Sequence, residues 1–130
     1  GVRTLTVLGG SLMQCLMPLA LAVSFLFWQR NAYGAGISTW WAGENLADLS
    51  PYINDARSLS LQLIGGGTGA EVEGHDWEFL LEQWGLIDHD VRIAWCVLRV
   101  GRIIMAAGLL WAAASVVLDA VRRRSQNDVI

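Results

Sequence analysis

Residues 5–28 read LTVLGGSLMQCLMPLALAVSFLFW, twenty-four residues in a row without a charged side chain. Coiled as a helix rising about 1.5 Å per residue, the run is about 36 Å long, more than a hydrocarbon core of about 30 Å requires. It is far longer than the apolar region of about 7–15 residues in a secretory leader. It also ends in Phe27-Trp28-Gln29-Arg30 rather than in a small-residue cleavage site, so it reads as an anchor.

A second apolar run, IIMAAGLLWAAASVVL, covers Ile103–Leu118 and stops at Asp119. It reaches spanning length only by extending back through IAWCVLRVGR (residues 93–102). Arg99 and Arg102 are then expected to snorkel to the nearer interface or to face a partner. The composition agrees with two spans: 54% of residues are hydrophobic and 16% charged, and the mean hydropathy is +0.41. An ordinary soluble domain carries about a quarter charged residues. All nine basic residues are arginine, a bias that fits a GC-rich coding sequence better than any chemistry. The net charge is −3, and no nucleic-acid partner is expected.

The arginines set the expected orientation. Between Gln29 and Val91 lie ten carboxylates against Arg30 and Arg57, a formal charge of −8. Arg3 precedes the first run, and Arg122, Arg123 and Arg124 follow the second. The sequence therefore predicts an all-α membrane protein built as a hairpin with both termini inside. Its parts are a cytoplasmic N-terminus (1–4), a first span (5–28), an acidic helical extracytoplasmic loop domain (29–91), a second span (92–119) and a basic cytoplasmic tail (120–130). In a bacterium this is an inner-membrane protein with a periplasmic loop.

Punctuation within the loop predicts three short helices. Ser38 or Thr39 starts the first, which carries Trp40 and Trp41 either at the headgroup level or in the core of a small outer domain. Ser50 as N-cap and Pro51 at the first helical position start the second, running to Ile64, with Gly65 as its stop. Residues 65–74, GGGTGAEVEG, have no Gly-Lys-Ser/Thr and no preceding strand, and read as a connector rather than a phosphate loop. Asp76 caps the third helix, whose Trp77, Leu80, Leu81 and Trp84 share one face, and Gly85 ends it with Leu86 as its hydrophobic partner. Asp88 then caps a helix expected to run unbroken into the second span and out to Arg124.

Residues 74–90 also crowd His75 and His89 among carboxylates, which raises a metal site. Fourteen residues and a glycine turn separate the two histidines, so His75 and His89 are weak metal candidates and the acids read as caps and solvated faces. No nucleophile with a base accompanies them, no histidine lies in either span, and Cys15 and Cys96 are too differently placed to pair. Neither a catalytic activity, a cofactor nor a small-molecule substrate is expected.

What the spans offer is packing surface: Gly9, Gly10, Ser11, Ala20 and Ser24 on the first, Gly101 and the pair Gly108–Ala112 on the second. The partner-interface candidates are Trp40, Trp41, Trp77, Trp84, Arg99, Arg102, Gly108, Trp111 and Ala112. The expected partners are the lipid bilayer and other integral-membrane subunits. The chain thus reads as a non-enzymatic accessory subunit of a larger complex, by analogy an energy-transducing one, respiratory or photosynthetic. The alternative is an oligomeric component of an envelope secretion, conjugation or transport channel.

Overall fold

The first apolar run forms one helix, α1 (Val2–Phe27), and carries Pro18 inside it. The computed structural model describes residues 2–62, 66–68 and 76–127. Within them follow α2 (Ala32–Asn54), α3 (Asp76–Gln83) and, after a 3-10 turn at Ile87–His89, α4 (Asp90–Asn127). Among the described residues no strand forms; Gln62 and Thr68 share an isolated antiparallel bridge. The protein is all-helical, and α1 and α4 are long and apolar enough to cross a membrane. The α4 helix, 38 residues long, starts at Asp90, and Asp88, expected as its cap, lies within the 3-10 turn before it.

The largest departure from the sequence reading lies in residues 32–54. Instead of a short surface helix and the start of a second one, they form a single 23-residue helix, capped by Asn31, whose Oδ1 accepts from the Gly34 amide at 2.9 Å. Neither Ser38 nor Thr39 is an N-cap; the Ser38 side chain is buried and Thr39 Oγ1 donates to Ala35 O at 2.8 Å. Pro51 lies inside the last turns of α2, and Ser50, instead of capping, donates its hydroxyl to Ala94 O of α4 at 2.9 Å. The helix stops at Asn54, and the expected glycine stop at Gly65 lies outside the described residues.

The reason α2 runs on is a seam of small residues. Gly36, Gly43 and Ser50 recur every seven positions, as do Ala94, Gly101 and Gly108 on α4. A seven-residue repeat keeps one line of a helix facing its neighbour. Here that line holds so little side chain that the main chains touch. A Cβ on Gly43 would stand 2.6 Å from both Gly101 O and Met105 N, and one on Gly36 2.6 Å from Ala112 N. A Cβ on Gly108 would run into the Trp40 amide nitrogen. Gly108 and Ala112 are therefore spent on a contact within the chain.

These contacts also fix direction. Gly36 lies opposite Ala112, Gly43 opposite Gly101, and Ser50 opposite Ala94, so α2 and α4 are antiparallel. On its other side α2 runs antiparallel to α1, with Gly34 against Phe25 and Asn45 against Gln14. A hairpin needs its two apolar helices antiparallel. Here α1 and α4 are parallel, with α2 between them, because the segment expected as an outer loop begins with a helix that packs along both.

At the end of the bundle where α4 begins, Leu49, Ile53, Ala56, Leu81 and Ala94 form a core joined by Trp77 and Ile87. The α3 helix ends as its sequence predicts. Gly85 takes a φ of 66°, the Leu86 amide reaches Leu81 O at 2.7 Å and the Gly85 amide reaches Glu82 O at 3.0 Å. That is the pair of bonds by which a left-handed glycine closes a helix. Thr4 Oγ1 donates to Gln83 Oε1 at 3.0 Å and ties the start of α1 to α3.

The seam makes a sharp prediction. Gly108→Ala, which forces α2 and α4 apart, is expected to cost about 1–3 kcal/mol or more in unfolding followed by tryptophan fluorescence. Gly10→Ala, where an added Cβ meets nothing within 4 Å, should be neutral or stabilising by up to about 1 kcal/mol. Equal stability of the two variants would refute backbone contact at the seam.

Candidate functional site

Pro18 shapes the α1–α2 contact. It has no N–H, so the carbonyl four residues back, that of Gln14, loses its helical donor. Asn45, itself buried on α2, supplies the replacement: its Nδ2 donates to Gln14 O at 2.8 Å. Pro18 and Ala22 of α1 and Asn45 of α2 are all buried. The sequence shows a proline within the first apolar run, but only the fold brings Asn45 of α2 alongside it. A double-mutant cycle tests the link. Asn45→Ala alone should destabilise the chain by about 0.5–1.5 kcal/mol by removing the donor to the Gln14 carbonyl. In a Pro18→Ala background, where the helix amide returns, it should cost markedly less; equal costs in both backgrounds would break the argument.

Two carboxylates, Asp55 at the end of α2 and Asp90 at the start of α4, organise the connection between the helices. Asp55 caps the turn: its oxygens accept from the Ser58 hydroxyl at 2.6 Å, the Ser60 amide at 2.8 Å, the Leu61 amide at 2.9 Å and the Ser60 hydroxyl at 3.1 Å. Burial alone would raise its pKa. The bonds from Ser58, Leu61 and Ser60 outweigh burial and hold the carboxyl below its ordinary value of 3.8. Asp90, 1% exposed, begins α4 and accepts both Arg57 Nη2 at 3.0 Å and Arg57 Nε at 3.2 Å. Its Oδ1 also accepts from the Val91 amide at 2.8 Å, next to the positive end of the helix dipole. The chain segment between α2 and α4 is in this way clasped at its base.

Because the pKa of Asp55 is lowered on folding, its contribution to stability is present above pH 3.8. It disappears as the pH falls through the lower folded-state value. Asp55→Asn should abolish this acid sensitivity. It should also speed exchange of the Ser60 and Leu61 amides at neutral pH by about tenfold, after correction for intrinsic rates. Unchanged protection in the variant would show that the turn does not depend on the carboxylate.

Of the two arginines expected at an interface, Arg102 lies on the flank of the α2–α4 seam. A groove of about 590 Å³ there is lined by Glu44, Ala47, Asp48 and Pro51 of α2 and by Trp95, Leu98, Arg102 and Met105 of α4, among others. Gly101 lies against Gly43 and Ala47, so Arg102 stands at the level of Glu44. Asp48 and Arg102 are exposed and Glu44 half-buried. Among the described residues the ion pair recorded is Arg57–Asp90; no bond joins Glu44 or Asp48 to Arg102. The acids Glu44 and Asp48 drew no notice in the sequence because they were assigned to a solvated loop.

The other expected site residues are scattered. Trp77 packs on the core, Trp40 is half-buried beside the seam, and Trp41, Trp84 and Trp111 are partly exposed on different helices. Arg99 is exposed on α4, outside the groove lining. His89 is exposed and His75 lies outside the described residues; among the described residues no three His, Cys, Asp or Glu side chains are placed to hold a metal. Cys15 and Cys96 are free. Comparison with protein-family models, curated proteins and solved structures finds no match to this chain.

Proposed function

We propose that this chain is a non-enzymatic, membrane-embedded subunit that supports the assembly of a larger integral-membrane complex. The observation that carries the reading is the uncovered apolar surface. Only 6% of the most apolar stretch of α1 and 17% of that of α4 is buried. Leu12, Met13, Leu16 and Met17 of α1 and Ile103, Leu110 and Val117 of α4 are all at least half exposed. Apolar surface exposed on this scale marks a membrane or a protein interface. The tightest small-residue contact is already used between α2 and α4, which leaves the outer face of α1, with Gly9 and Gly10, for lipid and neighbouring spans.

In a bilayer, the parallel direction of α1 and α4 makes α2 a third span. The turn from Trp28 to Asn31 and the C-terminus then share one side, with Arg30, Arg122, Arg123 and Arg124. The N-terminus and the acidic segment between α2 and α4 share the other. By the arginine bias the basic side is cytoplasmic, giving an N-out, C-in chain with its acidic segment outside, which is periplasmic in a bacterial inner membrane. A respiratory or photosynthetic complex remains the analogy. The channel alternative draws on the charged groove, which lies level with the apolar stretches.

One experiment addresses orientation and assembly together. Single cysteines at Thr68 and Ser125, in a chain freed of Cys15 and Cys96, should be labelled from opposite sides of intact cells. Gentle detergent extraction should then recover the chain in fixed stoichiometry with larger polytopic proteins. Labelling of both positions from one side would restore the hairpin. A ring of this chain alone would favour the channel.

A further inference from the structure

We propose that the α2–α4 groove is the interface with a second copy of this chain, packed about a two-fold axis parallel to the helices. The proposal rests on the membrane reading above, because a bilayer holds copies of one chain in a common orientation and so directs their symmetry axis along its normal. Under that operation every residue keeps its level. A surface can then complement itself in charge only if it carries both signs at the same height.

The α2–α4 register provides this. With Gly43 against Gly101 and Met105, Glu44 stands level with Arg102 on the neighbouring helix. Asp48 follows one turn along α2, toward the Ser50–Ala94 hydrogen bond. All three charged groups line the groove, and none of them pairs with another within the chain. Ionisable side chains left unpaired at the level of apolar spans are costly, and such groups pair with one another or line polar cavities. A second copy brings its Arg102 to Glu44 and offers its own Glu44 to the first Arg102, so one contact is made twice about the axis. Trp95, Leu98 and Met105 supply apolar surface around the charges. Tryptophan and arginine are the residue types that most often dominate such interfaces.

Reciprocal charge reversal tests the pairing. The parent chain should dimerise in detergent sedimentation and in energy transfer between labelled copies in vesicles. Glu44→Arg and Arg102→Glu should each weaken the dimer by at least about tenfold, since each places like charges together twice. An equimolar mixture of the two variants should recover association, because one copy then carries two arginines where the other carries two acids. The double variant in one chain should recover it too. Should a reversal unfold the chain, Glu44→Gln and Arg102→Met, read in the same assays, should each weaken the dimer.

A monomeric parent would overturn the proposal, as would single variants that dimerise like the parent. Rescue confined to the double variant in one chain would also overturn it, since that outcome makes the pair intramolecular. Recovery of the chain in carbonate-washed membranes tests the underlying reading separately. A membrane-bound monomer removes the dimer alone. A chain recovered as soluble protein removes the membrane reading, and the mixing assay on that fraction still decides the dimer.

Discussion

A side-chain carbon on Gly43 would sit 2.6 Å from Gly101 O, and one on Gly101 would sit 2.7 Å from Gly43 O, so α2 and α4 lie main chain against main chain. At that separation no interlocking of large side chains holds the pair. Its cohesion comes from many dispersion contacts between backbones and from what the seam allows to form across it. Ser50 reaches Ala94 O, and at the far end Arg57 grips Asp90. These polar contacts fix the axial register, which the repeated small residues alone would leave open to slippage by a heptad. The bulk that the seam excludes is displaced to its flanks, where Trp40 and Trp95 lie.

Once α2 is fixed to α4, the rest of the chain has little freedom. The four residues between α1 and α2 form a tight reversal in which Arg30 adopts a φ of 51° and the Asn31 amide reaches Phe25 O at 2.8 Å. α1 must therefore return along α2, and Asn45 tells it where to stop by satisfying the carbonyl that Pro18 orphans. The segment from Asp55 to His89 leaves and re-enters at one end of the bundle. Its long span of sequence is closed at the base by Arg57 and Asp90, and α3 is folded back against the start of α1. The parallel direction of the two most apolar helices follows from each packing antiparallel to α2.

This explains which parts of the fold were legible in the sequence. The apolar runs of α1 and α4 announce themselves, because length and the absence of charge are all the signal a spanning helix needs. The end of α3 was legible too, since Gly85 with Leu86 after it is local chemistry. Residues 32–54 were not. Their repeat at Gly36, Gly43 and Ser50 is written in small residues, which a search for large apolar positions passes over, and Ser50-Pro51 imitates a helix start. The repeat has meaning only beside its partner at Ala94, Gly101 and Gly108, more than forty residues away. Of the candidate site, Arg102 was visible in the sequence, while Glu44 and Asp48 were hidden by the assignment of their helix to a solvated loop.

The polarity of α2 can now be divided by use. Gly36, Gly43 and Ser50 serve the seam with α4, Gly34 packs on Phe25 of α1, Asn45 serves the broken turn of α1, and Ser38 is buried. These residues lower the hydropathy of the helix for reasons internal to the fold, so low hydropathy is not by itself evidence that the helix stands in water. Glu44 and Asp48 are different in kind. Neither caps a helix, neither is paired with a cation among the described residues, and both line the groove that Arg102 also lines. A helix held between two apolar ones could present alanine or leucine at those positions at no cost to the seam. Their charge is therefore the part of the α2 sequence that folding leaves unexplained, and the interaction this chain makes with a partner is best sought there.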